Sequence, residues 1–472
     1  MRRTKIVATM GPASAPKEVL TEMIKAGVNV CRLNFSHGAY EDHAKTITTI
    51  REIDQELGTS TALLADLQGP KLRVGEVENN GIELMNGTHI NITTEKCVGT
   101  VEKIYITYPE FPRDVKPGEK VLFDDGKLVM EVVSTNGKNN VVAEIKHGGI
   151  LSSKKGVNLP NTKISLPCLT EKDLQDLDFA LEHDVDWVGL SFVRSGRDII
   201  ELKHIIQSKR KSAKVIAKIE KPEAIDDLDE ILKHTDGVMV ARGDLGVEIP
   251  MQNVPLVQKM IVKKSLEHSR PVIIATQMME SMITNISPTR AEVTDVANAV
   301  MDGADAVMLS GETSVGKFPV KVIEAMGKII DQIEDNYPEL YHYERMPDKT
   351  HERFITNSIC FNASRLASRV DADAIITMTH SGYTAFKVSS QRPRARVFVF
   401  SSNKRLLTSL SLVWGVKAFY YDKMVSTDHT IADIKYILKK EGYLKEGALV
   451  VNLASMPIEE NGQTNMIKLS YV

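Results

Sequence analysis

Two residues of opposite charge sit two positions apart inside an apolar run, in the stretch "KVIAKIEKPEAI" over residues 214–225. Val215, Ile216, Ala217 and Ile219 suit a dry sheet, whereas Lys218 and Glu220 do not. Successive side chains of a strand point to opposite faces, so Lys218 and Glu220 share one face and aim into one enclosed space. Further polar groups follow other short apolar runs: Arg32, Asn34, Ser36 and His37 in "RLNFSHG", then Asp66 and Arg73 in "DLQGPKLR". Arg242 and Asp244 lie in "ARGDLG", Thr276 in "IATQM", and Ser310 and Glu312 in "LSGET". Glu220 and Asp244 suit a hard divalent cation. Arg32, Arg73 and Lys218 suit phosphate. A metal and fixed cations together cancel the charge on a moving phosphoryl group, so the set points to phosphoryl transfer. Any one of these residues alone would read as a solvated strand end or a structural ion pair. A competing motif, "GETSVGK" over 311–317, fits the spacing of a phosphate loop, but Phe318 stands where the magnesium-holding hydroxyl belongs and Pro319 follows.

The elements that must position these groups follow from the alternation of short strands with amphipathic helices. "KIVATMGP", "VNVCRLNFSHG" and "TALLADLQGPKLR" read as three strands with helices between them. The rhythm then breaks over residues 71–167, where Gly, Asn and Asp punctuate alternating apolar residues, the sign of a small all-β insertion. It resumes with "WVGLSFV", "KVIAKIE", "DGVMVARGD", "PVIIATQM" and "ADAVMLSGET". Eight βα units over roughly 250 residues are the size of a (β/α)8 barrel, whose reactive groups gather at the C-terminal ends of its strands. A doubly wound sheet would place its site at one switch point instead. The expected organisation is α/β: a discontinuous TIM barrel over 1–70 and 168–345, a β-rich lid over 71–167 and a separate C-terminal α/β domain over 346–472.

Composition excludes several classes. With 472 residues, 42% hydrophobic and 26% charged, the chain suits a large globular protein. A formal net charge of -3 gives no reason to expect nucleic acid or an acidic membrane surface. The longest apolar runs are strand-sized, too short for a membrane span or a signal peptide. Four scattered cysteines, Cys31, Cys97, Cys168 and Cys360, lack metal or disulfide spacing and read as reduced thiols of a cytoplasmic protein.

Taken together, "ATMGPAS", "RLNFSHG", "KKGVNLP", "AKIEKPEAI", "ARGDLGVEIP", "ATQMMESM" and "MLSGETSVGKFP" resemble pyruvate kinase, from residue 4 to the C-terminus and in the compact bacterial form. The resemblance implies transfer of a phosphoryl group from phosphoenolpyruvate to ADP, with magnesium or manganese held by Glu220 and Asp244. It implies that Lys218 neutralises the group in flight, that Gly243 approaches the substrate carboxylate and that Thr276 lies near the carbon to be protonated. Ser310 joins the substrate side. Arg32, Asn34, Phe35, Ser36, His37, Arg73 and Lys155 match the nucleotide side, with Lys154 as the neighbouring alternative to Lys155. The insertion would then close over ADP and exclude water.

The resemblance carries two further expectations and one departure. Family members that use potassium bind it through the positions of Asn34, Ser36, Asp66 and the backbone at Leu67, and have Thr-Lys-Gly-Pro-Glu after the aspartate. Here "LQGPK" puts Lys71 in place of that glutamate, so potassium is expected to be dispensable. In the C-terminal domain "MTHSGYTAF", with Thr379, Ser381 and Thr384, matches the loop that holds the phosphate of a sugar-phosphate effector. The loop "SMPIEENGQTN" carries Glu459 and Glu460 and no cation, which opposes a second phosphate. A homotetramer is expected from the resemblance alone. Two other readings compete: another magnesium-dependent barrel acting on pyruvate or its enolate, such as an aldolase or lyase, and an inactive sensor. The first leaves Lys155 and "NFSHG" without a purpose, and the second has no missing charged position to support it.

Overall fold

Short runs rich in Val, Ile and Ala form eight parallel strands in the computed structural model, which describes residues 1–341, 346–423, 426–456 and 462–472. They are β1 (Lys5–Thr9), β2 (Val30–Asn34), β3 (Ala62–Asp66), β4 (Trp187–Leu190), β5 (Lys214–Ile219), β6 (Gly237–Ala241), β7 (Val272–Ala275) and β8 (Ala306–Leu309). Each pairs with its sequence neighbour, and β8 closes on β1 to complete a TIM barrel. Amphipathic helices cover the outside; Lys17–Ala26, for example, buries Leu20, Met23 and Ile24.

Inside the barrel the period of two stacks a polar group over an apolar one on several strands. Val30 lies below Arg32, Leu64 below Asp66 and Ile216 below Lys218. Val7, Trp187, Met239, Ile273 and Met308 join the apolar layer. Trp187 is fully buried, and its indole N–H donates to the Ser409 carbonyl at 3.1 Å. The C-terminal domain thus caps the N-terminal mouth, with Leu412 entering the same apolar cluster, and only the opposite rim is left for chemistry.

Between β3 and β4 the chain leaves the barrel. Its six-stranded sheet runs in the order Val157–Asn158, Lys120–Phe123, Leu128–Thr135, Asn140–His147, His89–Thr93 and Lys103–Tyr105, with a separate pair of Ile82–Leu84 and Gly149–Leu151. The insertion also contains a 3-10 turn, Glu78–Asn80, and a short α-helix, Phe111–Asp114, where Pro112 fixes the first turn. It has its own core around Tyr108, Phe123, Met130 and Ile145. The incoming hinge needs Gly69: its φ is +70°, and a Cβ there would meet the Phe192 ring at 2.7 Å. At the outgoing hinge Arg194 donates to the carbonyls of Ile164 (2.6 Å) and Leu166 (2.8 Å).

The C-terminal domain has five strands, β9 (Ala374–Met378), β10 (Arg396–Ser401), β11 (Val416–Tyr420), β12 (Leu449–Ala454) and β13 (Met466–Tyr471). Their order is β11-β10-β9-β12-β13, and β13 alone is antiparallel. All four cysteines are unpaired. Among the described residues no helix is long and apolar enough to cross a membrane.

Barrel and C-terminal domain are joined by a buried charge. Arg392 is fully buried and donates to the Gly303 carbonyl (2.6 Å), Asp305 Oδ2 (2.9 Å) and the Ser389 carbonyl (2.9 Å). Its guanidinium lies 4.8 Å from the centre of the Trp414 ring, and Asp305 also accepts the Trp414 backbone N–H. Removing one partner leaves the other charge buried and unpaired. Arg392→Met is therefore expected to lose about 3–5 kcal/mol in urea unfolding, and adding Asp305→Asn should restore part of it. Unchanged stability in the single variant would show that this junction does not hold the domains together.

Candidate active site

The rim is built around Asp66, at the end of β3 and 1% exposed. Its Oδ2 accepts Arg32 Nε from the neighbouring β2 at 2.7 Å, and its Oδ1 lies 3.2 Å from Lys218 Nζ, reaching across from β5. The intervening strand β4 has glycine at the facing position. A Cβ on Gly189 would lie 3.0 Å from Asp66 Oδ1, so the residue leaves the room that the ion network fills. Arg32 Nη1 also donates to Thr9 Oγ1 at 2.9 Å.

Lys218 and Glu220 meet as strand alternation requires. Lys218 Nζ lies 3.0 Å from Glu220 Oε1 and donates to Ser191 Oγ at 2.7 Å, and Ser191 in turn donates to the Leu67 carbonyl. Burial lowers Lys218, but the charges of Asp66 and Glu220 outweigh it and hold the ammonium above its ordinary range. Burial would likewise raise Asp66, yet Lys218 and Arg32 overcome it and keep that carboxyl below its usual range. Glu220 goes the other way. Burial raises it, the nearby Asp244 adds to the rise, and Lys218, shared with Asp66, offsets them only in part. Two carboxylates that repel each other are a pair a divalent cation would relieve. Glu220 Oε2 is held by the Phe192 backbone N–H at 2.8 Å.

Asp244 stands in the first turn of the helix Arg242–Glu248, which starts where β6 ends. Its Oδ1 is 3.9 Å from Lys71 Nζ. The Gly243 N–H donates to Thr276 Oγ1 at 2.8 Å, and that hydroxyl donates to the Ala275 carbonyl at 2.6 Å. Thr276 has φ +69°, a strained conformation for a β-branched residue that the surrounding bonds must enforce. Arg242 does the enforcing: it donates to the carbonyls of Ala275 (3.2 Å) and Thr276 (2.6 Å) and pairs with Asp295 at 2.6 Å. Glu312 is also structural, accepting the backbone N–H groups of Met279 (3.1 Å) and Ser310 (2.7 Å) and so fixing Ser310 at the rim.

The remaining sequence candidates divide. Asn34 Oδ1 accepts the Ser36 N–H at 3.2 Å, and His37 is exposed on the turn after β2. Phe35 is 4% exposed, its ring packed 4.7 Å from His43 and 5.9 Å from Phe179, so only its backbone faces the turn. Arg73 Nη1 donates to the Lys154 carbonyl at 3.1 Å. Lys155 pairs with Asp124 at 2.9 Å, a hydrogen bond that, with one from Lys127, holds the Asp124 carboxyl low; Lys154 pairs with Glu76 at 3.3 Å. In the C-terminal domain the Thr379–Thr384 loop borders a cleft of about 390 Å³ that Arg353, His380 and Gln463 also line. Thr379 Oγ1 accepts the Gly382 N–H at 3.0 Å, and the buried Thr384 hydroxyl meets Thr464 Oγ1 at 2.8 Å.

Three members of the rim escaped sequence reading: Thr9, Ser191 and Phe192. The signal for two of them was present, since "KIVAT" and "WVGLS" end in hydroxyl residues, whereas Phe192 takes part through its backbone N–H, which no side-chain pattern reveals.

Residues 1–323 match the family described as "Pyruvate kinase, barrel domain", and residues 357–470 match "Pyruvate kinase, alpha/beta domain". The chain is 43% identical to a pyruvate kinase of Corynebacterium glutamicum over 99% of its length and 97% of the relative's. It is 42% identical to one of Geobacillus stearothermophilus, covering all of this chain and 80% of that one. A crystal structure of a pyruvate kinase from Cryptosporidium parvum superposes with a TM-score of 0.93 at 35% identity, covering 100% of this chain and 96% of the other. With both family domains matched and full-length relatives above 40% identity, the chain belongs to the pyruvate kinase family.

Proposed function

We propose that this chain transfers the phosphoryl group of phosphoenolpyruvate to ADP, yielding pyruvate and ATP, as the last step of glycolysis in the cytoplasm. The observation that carries this reading is the buried Lys218 ammonium, held charged between Asp66 and Glu220 with Asp244 nearby and Arg32 alongside. In the reaction the bond between phosphorus and the enol oxygen breaks, a bond to the terminal oxygen of ADP forms, and the enolate takes a proton at its methylene carbon. Lys218 and Arg32 are placed to meet the charge of the phosphoryl group as it moves. Gly243, Asp244, Thr276 and Ser310 line the substrate side, and Thr276 is held toward the carbon that is protonated. Arg73 and Lys155 reach the nucleotide from the lid, over 71–167, with Asn34, Ser36 and His37 opposite. Lys155 is preferred over Lys154 because its partner Asp124 lies in the turn whose Gly126 packs near Val247 of the site helix.

Glu220 and Asp244 would hold magnesium or manganese. The fit rests on the donor set: Glu220 and Asp244 are hard carboxylates close enough to repel each other, and magnesium is commonly held by one or two carboxylates with substrate oxygens and water completing its shell. When bound, the ion supplies Lewis-acid neutralisation of phosphate and enolate oxygens. An aldolase or lyase reading of the barrel accounts for neither the lid lysine nor the relatives' shared function. A homotetramer is the assembly proposed from the family.

Lys218→Met is expected to lower kcat by a factor of about 100 or more, roughly 3 kcal/mol of transition-state stabilisation, in the coupled assay of ATP formation. Near-normal turnover would sink the assignment. Glu220→Gln should chiefly raise the magnesium concentration needed for half activity.

Potassium is proposed to be dispensable because Lys71 stands in "LQGPK" where potassium-using relatives have glutamate, and its Nζ lies at the rim 3.9 Å from Asp244. Activity should be the same with and without potassium, and Lys71→Glu with Leu67→Thr and Gln68→Lys should create a requirement. A strong activation of the unaltered enzyme by potassium would refute this.

A sugar monophosphate is the effector proposed for the Thr379–Thr384 loop, where backbone N–H groups begin the helix Tyr383–Ser390. Glu459 and Glu460, expected to repel a second phosphate, lie outside the described residues. Titrating both ligands at low phosphoenolpyruvate checks the proposal; strong activation by micromolar fructose 1,6-bisphosphate would overturn it.

A further inference from the structure

Lys221 and Glu248 form an ion pair at 2.7 Å with side chains only 7% and 1% exposed, and nothing in the chemistry above uses it. Two charges taken out of water are a poor source of stability unless other hydrogen bonds complete their shells. Here Glu248 Oε1 also accepts Asn158 Nδ2 at 2.8 Å, while Oε2 is buried without a partner. The three residues come from three segments. Lys221 directly follows Glu220, Glu248 ends the helix whose first turn carries Gly243 and Asp244, and Asn158 lies in the last strand of the lid.

The helix Arg242–Glu248 faces two ways. Asp244, Val247 and Glu248 are spaced i, i+3 and i+4, so they share one face. That face meets the lid segment at every position. Asp244 Oδ1 is 3.9 Å from Lys71, a Cβ on Gly126 would lie 3.7 Å from Val247, and Glu248 holds Asn158. Arg242 instead grips the β7 end through the carbonyls of Ala275 and Thr276, and Leu245 is fully buried. The helix is a short strut whose one end carries a cation carboxylate and whose other end carries the lid's anchor.

We propose that Glu248, fixed by Lys221 and gripped by Asn158, is a positioning residue that couples the seating of the lid to the spacing of Glu220 and Asp244. Affinity for the divalent cation then depends on a contact made by the lid, which touches neither carboxylate through Asn158. This rests on the phosphoryl-transfer reading of the same site.

The test uses the full chain and manganese alone, with free ion followed by electron paramagnetic resonance and folding by thermal unfolding. Asn158→Ala and Glu248→Gln should each weaken manganese binding by roughly tenfold and raise the magnesium needed for half activity by a like factor, with Tm unchanged. Lys221→Arg, which keeps the pair, should stay near the unaltered protein. Manganese affinity within about twofold of normal in both variants, well short of the roughly tenfold loss expected, would overturn the proposal. So would a loss that tracks a lowered Tm in both, because the triad would then be merely structural. Failure of the unaltered enzyme to make ATP would refute the functional reading instead, and the manganese series would still decide the coupling.

Discussion

Asp66 places one negative charge where water scarcely reaches, and the rest of the rim is arranged to keep it there. A buried carboxylate persists only where charged partners offset its lost hydration. Arg32 and Lys218 supply the charges from two other strands, and Gly189 supplies the space between them. The consequence reaches the chemistry. Because Lys218 is shared between Asp66 and Glu220, their charges outweigh its burial and keep it an ammonium, while burial and Asp244 raise Glu220. The network therefore sets a fixed cation beside a carboxylate that burial and Asp244 raise.

The barrel makes this arrangement affordable by sealing its other end. Trp187 fills the N-terminal mouth, and the C-terminal domain closes over it through Ser409 and Leu412. A closed floor keeps water from the underside of the ion network, and the apolar layer beneath fixes the side chains above it. The junction that holds the cap, Arg392 with Asp305 and Trp414, is itself a buried charge pair.

On the open side, the lid is tied to the site at few points. Arg194 clasps the outgoing hinge, Gly69 shapes the incoming one, and the helix Arg242–Glu248 meets the lid along one face. A lid with its own core can move as a body, so these contacts are where movement would be felt by the catalytic groups.

Much of this was written in the chain. The period of two in "KVIAKIE" put Lys218 and Glu220 on one face, and their 3.0 Å contact follows that alternation carried one residue past the end of β5. The eight βα units, the β insertion and the third domain were legible because strand length, turn residues and helical periodicity are local properties. Partnership was not local. Arg32 and Asp66 are neighbours because β2 and β3 pair in register, and Lys218 reaches them only because the sheet closes and Gly189 leaves room. Arg242 and Glu312 read as rim chemistry, yet their charges are spent on backbone groups of adjacent loops, a choice made by loop packing. Phe35 sits in a motif of polar residues but turns its ring into the core against His43 and Phe179. Sequence determined which side chains stand at strand ends; barrel closure and loop packing, which join residues far apart in the chain, decided which of them meet.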